Sequence, residues 1–332
     1  MPEWLYPVAG FAGGVLGAAI GALPAFVLCG VAIVAGTVIF MITGDRTFLT
    51  VVTWGPVLGP HAAFAGGVAA AAFAARRGRL PSGRDILTPL ASLKSSPVLA
   101  IGGLFGCLGV LLAAALSRIP AAGPIPWINP IALSIALNGL LVRLLLGRSG
   151  LLGRVGDGQS RFFPSDGSGA FPWHLPPLTL LTLSAGVSLP VALVAASFPG
   201  SAGLAFGIAA VALGLLAAGI RMPVLIHTVL ATELYAAVTG SVGWGVALGV
   251  LAAILAEGSA CLFLIHGDTH VDPPALSLVL VFAAYPVLDR TGALEASGAW
   301  PLMAVAALAL MAWRRRSPLR GHPPHARRVI PT

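Results

Sequence analysis

The chain has 332 residues, 57% hydrophobic and only 9% charged, with a mean hydropathy of +0.94 and a formal net charge of +8. A soluble domain carries about 25% charged residues, so this chain cannot cover a water-facing surface. Long Ala/Leu/Val/Gly runs recur instead, many near the roughly 20 residues that cross a bilayer as helix.

Hydrocarbon offers the backbone no hydrogen-bond partners, so helices are the expected spanning element, and barrel-type alternation is absent. The composition thus predicts an all-α, polytopic transmembrane helical bundle. Apolar spans are expected at about 7–23, 25–43, 56–76, 97–117, 128–147, 176–198, 201–219, 222–240, 243–265, 275–290 and 299–313, which makes about 10–11 crossings. Met1-Pro2-Glu3-Trp4 lacks the basic start of a cleaved signal peptide. Residues 7–43 are compatible with two tightly joined helices, a re-entrant pair or one kinked helix. Cys29, Cys107 and Cys261 all fall in apolar runs and form no CxxC pair, so they read as small buried hydrophobes.

Two stretches resemble each other. "GAAIGALPAFVLCGVAIVAGTVIFMITG" followed by "TWGP" matches "LAAGIRMPVLIHTVLATELYAAVTG" followed by "GWGV". Pro24 then pairs with Pro223, Thr43-Gly44 with Thr239-Gly240, and Trp54-Gly55 with Trp244-Gly245. Downstream, "GRDILTPL" (83–90) falls where "GDTHVDPPAL" (267–276) falls. The expected organisation is a 5+1+5 duplication with broken or re-entrant helices: a first repeat at 1–147, a Gly/Ser/Arg-rich cytoplasmic linker at 148–175 and a linking helix at 176–200. A second repeat follows at 201–313, and a basic, disordered cytoplasmic tail at 314–332, which holds His322 and His325.

Basic residues set the orientation. With 76–94 placed in the cytoplasm, sixteen Lys and Arg fall on that side and three, Arg46, Arg118 and Arg290, on the other. This positive-inside bias predicts a multi-pass protein of the cell membrane with its C-terminus cytoplasmic. It assigns the net charge to topology and anionic lipid, not to nucleic acid. Segments 118–127 and 289–298 are expected outside.

Ionisable groups at membrane depth mark protein interiors or water-filled paths. The candidates are His61, Asn129, Asn138, Arg143, His227, Glu233 and Glu257. Arg143 is expected to snorkel to the cytoplasmic face, and Asn129 to cap a helix begun by Pro130. Glu233 and Glu257 sit on helices joined by the Thr239-Gly240-Ser241 turn. At about 1.5 Å rise per residue, Glu233 lies roughly 10 Å below that turn, His227 roughly 20 Å and Glu257 roughly 24 Å. His227 and Glu257 therefore share a depth, where a His–carboxylate pair could carry a proton or hold a cation. His61 follows "WGPVLGP", whose prolines break the helix, and Asn138 lies mid-span.

"FLIHGDTHVDPPA" (263–275) places His266, Asp268, His270 and Asp272 at alternate positions. Three readings stay open: a gate or ion-binding loop, a tight metal site, and an interfacial turn in which Asp272 caps the next helix. Ligands in a line cannot surround an ion without help from elsewhere. No GxxxxGK[ST], HExxH, GxSxG, CxxCH or TVGYG motif occurs.

"IGALPAF" and "GPHAAFAGGV" resemble stretches of uncharacterised bacterial and archaeal permease-like membrane proteins. That resemblance implies no site residues. The expected function is a secondary transporter or permease for a small solute or ion, proton-coupled through Glu233, Glu257 and His227. The alternatives are a metal-dependent intramembrane enzyme using the HGDTHVD loop, and a non-catalytic subunit of a larger complex. The expected partners are the bilayer and the solute; no cofactor is expected, and homo-oligomerisation is left open.

Overall fold

The computed structural model describes residues 4–119, 127–157, 160–162 and 175–314. The expected outer loop at 118–127 and the tail with His322 and His325 lie largely outside them, as does half of the linker. The described residues are all-α and contain no strand.

In chain order the helices are α1 (Leu5–Ile20), α2 (Ala22–Thr43), α3 (Ala63–Arg76), α4 (Ser96–Leu116), α5 (Pro130–Leu146) and α6 (Pro177–Ser197). They continue as α7 (Leu204–Ala212), α8 (Gly214–Ala217), α9 (Ile226–Thr239), α10 (Val242–Ser259), α11 (Pro273–Arg290) and α12 (Ala299–Arg314). Five stretches are long and apolar enough to cross a membrane: Ala22–Thr43, Ser96–Leu116, Pro177–Ser197, Pro199–Ala217 and Val242–Leu264. Leu28, Val31, Leu104, Leu111, Leu193 and Ile208 point outward on them. A helix apolar on its outer face as well as its inner one fits a lipid solvent.

Residues 7–43 form two helices, parted at Gly21, whose φ of 97° suits glycine. The expected span at 56–76 is corrected. Helix α3 begins only at Ala63, after a π-turn at Leu49–Thr53 and an irregular stretch with Pro56 and Pro60. Those prolines have no N–H to donate to a helix ladder. Likewise α9 starts at Ile226 rather than 222, beyond Pro223.

Packing divides into three groups. Helices α1, α3 and α4 meet through glycine: a Cβ built at Gly14 would overlap the Gly102 carbonyl, and one at Gly17 the Ala63 carbonyl. Small residues at such spacing let backbones touch. Helices α6, α9 and α10 pack together, with the buried Thr232 hydroxyl donating to Ser188 Oγ at 2.9 Å. Between these groups α2 packs on α7 through Gly30, and α5 bridges α3, α4 and α11. The space left among α2, α5, α7, α9 and α11 holds the site.

Candidate functional site

Two cavities occupy that space, stacked along α7 and α8. The larger, about 280 Å³, is lined by Trp54, Asn129, Gly203, Phe206, Glu233 and Asp272 among others. The smaller, about 40 Å³, is lined by Ile86, Leu213, Leu216, Val224 and His270. Gly203 and Leu216 are thirteen residues apart, roughly 20 Å on a helix, so the cavities occupy different depths. Phe26, Pro60, Ile135, Ile226, Asp272 and Pro274 border both. An aromatic row runs through this partition: Trp54 stacks on Phe206 at 5.7 Å, Phe206 meets Phe26 edge-on at 6.2 Å, Phe26 meets Phe64 at 5.9 Å, and Phe64 meets His270 at 5.7 Å.

Helix ends supply the polar groups. Asn129 accepts the Ala132 N–H at 2.9 Å and Asp272 accepts the Ala275 N–H at 2.9 Å, each before a proline at the helix start. The expected capping role of both is thus observed. The other Asp272 oxygen lies 3.4 Å from His270 Nε2. Glu233, 1% exposed on α9, points one oxygen at the first turn of α7, where the Phe206 N–H donates at 3.3 Å. Its other oxygen has no hydrogen-bond partner among the described residues. Glu233 therefore acts as a tertiary cap on α7 while facing the cavity.

The "HGDTHVD" loop is more buried than an interfacial turn: Thr269, His270 and Val271 are buried, and Asp268 is half-exposed. Its four polar side chains do not converge, and among the described residues no three His, Cys, Asp or Glu side chains are placed to hold a metal. His266 Nε2 lies 3.1 Å from the Arg161 carbonyl, and His270 faces Phe64. Asp268 accepts the Ser149 hydroxyl at 2.7 Å and the Arg148 N–H at 2.5 Å, and pairs with Arg143 at 3.7 Å. Partial burial raises the Asp268 carboxyl's pKa, but these donors and the arginine outweigh it and hold the group below its ordinary range.

Arg143 corrects an expectation. It does not snorkel; it is 1% exposed. Its guanidinium donates to Thr269 Oγ1 at 2.6 Å, the Thr269 carbonyl at 2.6 Å and the Phe263 carbonyl at 2.8 Å. Gly267 lies directly on the guanidinium, leaving no room for a Cβ. The loop is folded around this one side chain. A second contact fixes it: Gly83 pairs with Thr269 in an isolated parallel bridge, and Arg84 donates to the Ile265 carbonyl at 2.8 Å.

The remaining candidates are His61, Asn138, His227 and Glu257. His61 and Asn138 meet at Gly109, on α4, where a Cβ would overlap the His61 carbonyl and lie 3.0 Å from Asn138 Nδ2. Both are buried, and His61 Nδ1 and both Asn138 amide atoms lack partners among the described residues. His227 is buried in the first turn of α9. Glu257 is half-buried on α10 near Cys261 and does not line the larger cavity. Sequence reasoning missed Trp54, Phe26 and Phe206. "TWGP" flagged the first only as a repeat match, and nothing distinguished either phenylalanine from a core residue.

No characterised protein and no solved structure matches the chain. Residues 2–164 and 172–303 match one family model. Spanning most of the chain, that match makes this protein a member of DUF7973, a family of unknown function.

Proposed function

We propose that this chain is a secondary transporter, a permease that carries a small solute or ion across the cell membrane with proton coupling through its intramembrane carboxylates. The observation that carries the reading is the pair of stacked cavities sharing a wall at Phe26, Ile135 and Asp272. A solute path blocked at one partition is what alternating access requires. Helices α3, α9 and α11 begin beside this space after irregular segments. Non-helical backbone at membrane depth is tolerated where it lines a cavity or lies within protein.

The proposed topology has about 10–11 crossings, the C-terminus in the cytoplasm and a 5+1+5 duplication. Gly44 and Gly240, matched in the two copies, both close their helices in the left-handed conformation. The matched loops at 83–90 and 267–276 touch at the Gly83–Thr269 bridge. The copies differ in packing, since α1 lies on α3 and α4 whereas α7 lies on α2 and α9.

Reconstituted protein should take up at least one class in a panel of small solutes, faster with an imposed pH gradient. Glu233→Gln keeps the side chain's shape but cannot titrate, so it should abolish the pH response while leaving folding intact. An unchanged response in both Glu233→Gln and Glu257→Gln ends the coupling idea. No uptake by folded protein of any solute class ends the transport reading.

A further inference from the structure

We propose that the larger cavity is a binding site for a small organic monocation, with Glu233 as its counter-ion and an aromatic wall around it. This deepens the transport reading and rests on it only for the direction of movement, not for binding.

Charge is the first argument. Glu233 and Asp272 line the cavity, and among the described residues no Arg, Lys or His does. Asp272 is already engaged by the Ala275 N–H and by His270. The free Glu233 oxygen is not, although the residue is almost wholly buried. A buried carboxylate without a counter-charge is costly. The first turn of α7, through the Phe206 N–H, engages one oxygen of Glu233. The remaining oxygen is left for a cation arriving in the cavity.

Wall chemistry is the second argument. Trp54, Phe206 and Phe26 all line the cavity and hold one another by ring contacts. Aromatic faces attract weakly hydrated cations, and quaternary ammonium recognition uses such walls. An inorganic cation such as Na⁺ needs several oxygen ligands in place of its hydration shell. This cavity instead offers mainly hydrocarbon and ring surface, with Leu230, Leu234 and Leu278 completing it. About 280 Å³ suits a molecule of a few heavy atoms more readily than a bare ion.

The test uses full-length protein in lipid nanodiscs and choline as the probe, against dimethylbutanol, its uncharged carbon isostere of the same shape. Calorimetric titration should show choline binding about tenfold or more tighter than the isostere, the scale of a desolvated cation–π contact plus an ion pair. Glu233→Gln should remove that preference. Trp54→Leu should weaken choline about tenfold without strengthening the isostere. Glu233→Asp, which keeps the charge, guards against a folding artefact and should retain a preference for choline. Equal affinity for choline and the isostere overturns the proposal, as does binding of Na⁺ or K⁺ with none of choline or tetramethylammonium. Choline binding without uptake of any solute sinks the transport reading and leaves this one standing. Uptake of neutral solutes with no choline binding does the reverse.

Discussion

The α1–α3–α4 seam and the wall formed by α7 and α9 are built from similarly apolar sequence and do opposite things. In the seam, glycines at helical spacing (Gly10 and Gly14 against Gly102 and Gly106, Gly17 against Ala63) bring backbones into contact and leave no space. Around α7 and α9, rings, prolines and broken helix ends hold the backbones apart, and a cavity remains. Composition alone does not separate the two. What separates them is side-chain size at the facing positions, since close-packed interiors either interdigitate or leave a void.

The comparison is easiest to break in the seam. Gly17→Val puts a branched side chain where the Ala63 carbonyl stands, at a cost above about 3 kcal/mol. Folded, monodisperse yield in detergent should collapse. Leu230→Met in the cavity wall should cost below about 1.5 kcal/mol by thermal unfolding. Similar losses from both would erase the distinction.

Next in size is Arg143→Met. It removes three close hydrogen bonds from the loop and strips Asp268 of its charge partner. A loss of about 2–4 kcal/mol is expected, reduced from the fully buried case because Asp268 is partly solvated. A change within about 0.5 kcal/mol would show that the loop holds its shape without the arginine.

Asp272→Ala should cost about 0.5–2 kcal/mol as a lost cap on α11, and Asp272→Asn should recover most of it. The comparison sharpens if Asp272→Ala also changes solute affinity, because that residue borders both cavities. Asn129→Ala, the matching cap on α5, should cost about as much in stability.

The smallest effect is a pH dependence. The Asp268 carboxyl is held below its ordinary value of 3.8, so its stabilising contribution is present above that value. It is lost as pH falls through the lower folded-state value. Acid unfolding of Asp268→Asn should therefore begin less steeply below about pH 4 than that of the native chain. Coincident acid profiles would remove this account of the loop's charge.

Much of the fold was legible. Asn129 and Asp272, each before proline, announced their helix starts, and the structure places both as caps. The break at Pro56 and Pro60 was legible in "WGPVLGP", but the span drawn from hydropathy still began at 56, because counting apolar residues does not mark where the backbone ladder starts. The site was less legible still. Glu233 stood out as a buried acid, but its partner, the start of α7, is 27 residues away. Arg143 looked like a helix-end arginine free to reach water, and its partners lie 120 and 126 residues away.

By itself the sequence determined the class: too few charges to face water, apolar runs of membrane length, and proline and cap residues that fix where helices begin. These are local or additive properties, summed residue by residue along the chain. Only the tertiary structure decided which helices touch, that Arg143 turns inward to gather the loop, and that Glu233 keeps one oxygen for a cavity. Such outcomes depend on the register in which distant helices pack. In this chain glycine, alanine and leucine occupy nearly every helix face, so hydropathy gives almost no signal for one register over another.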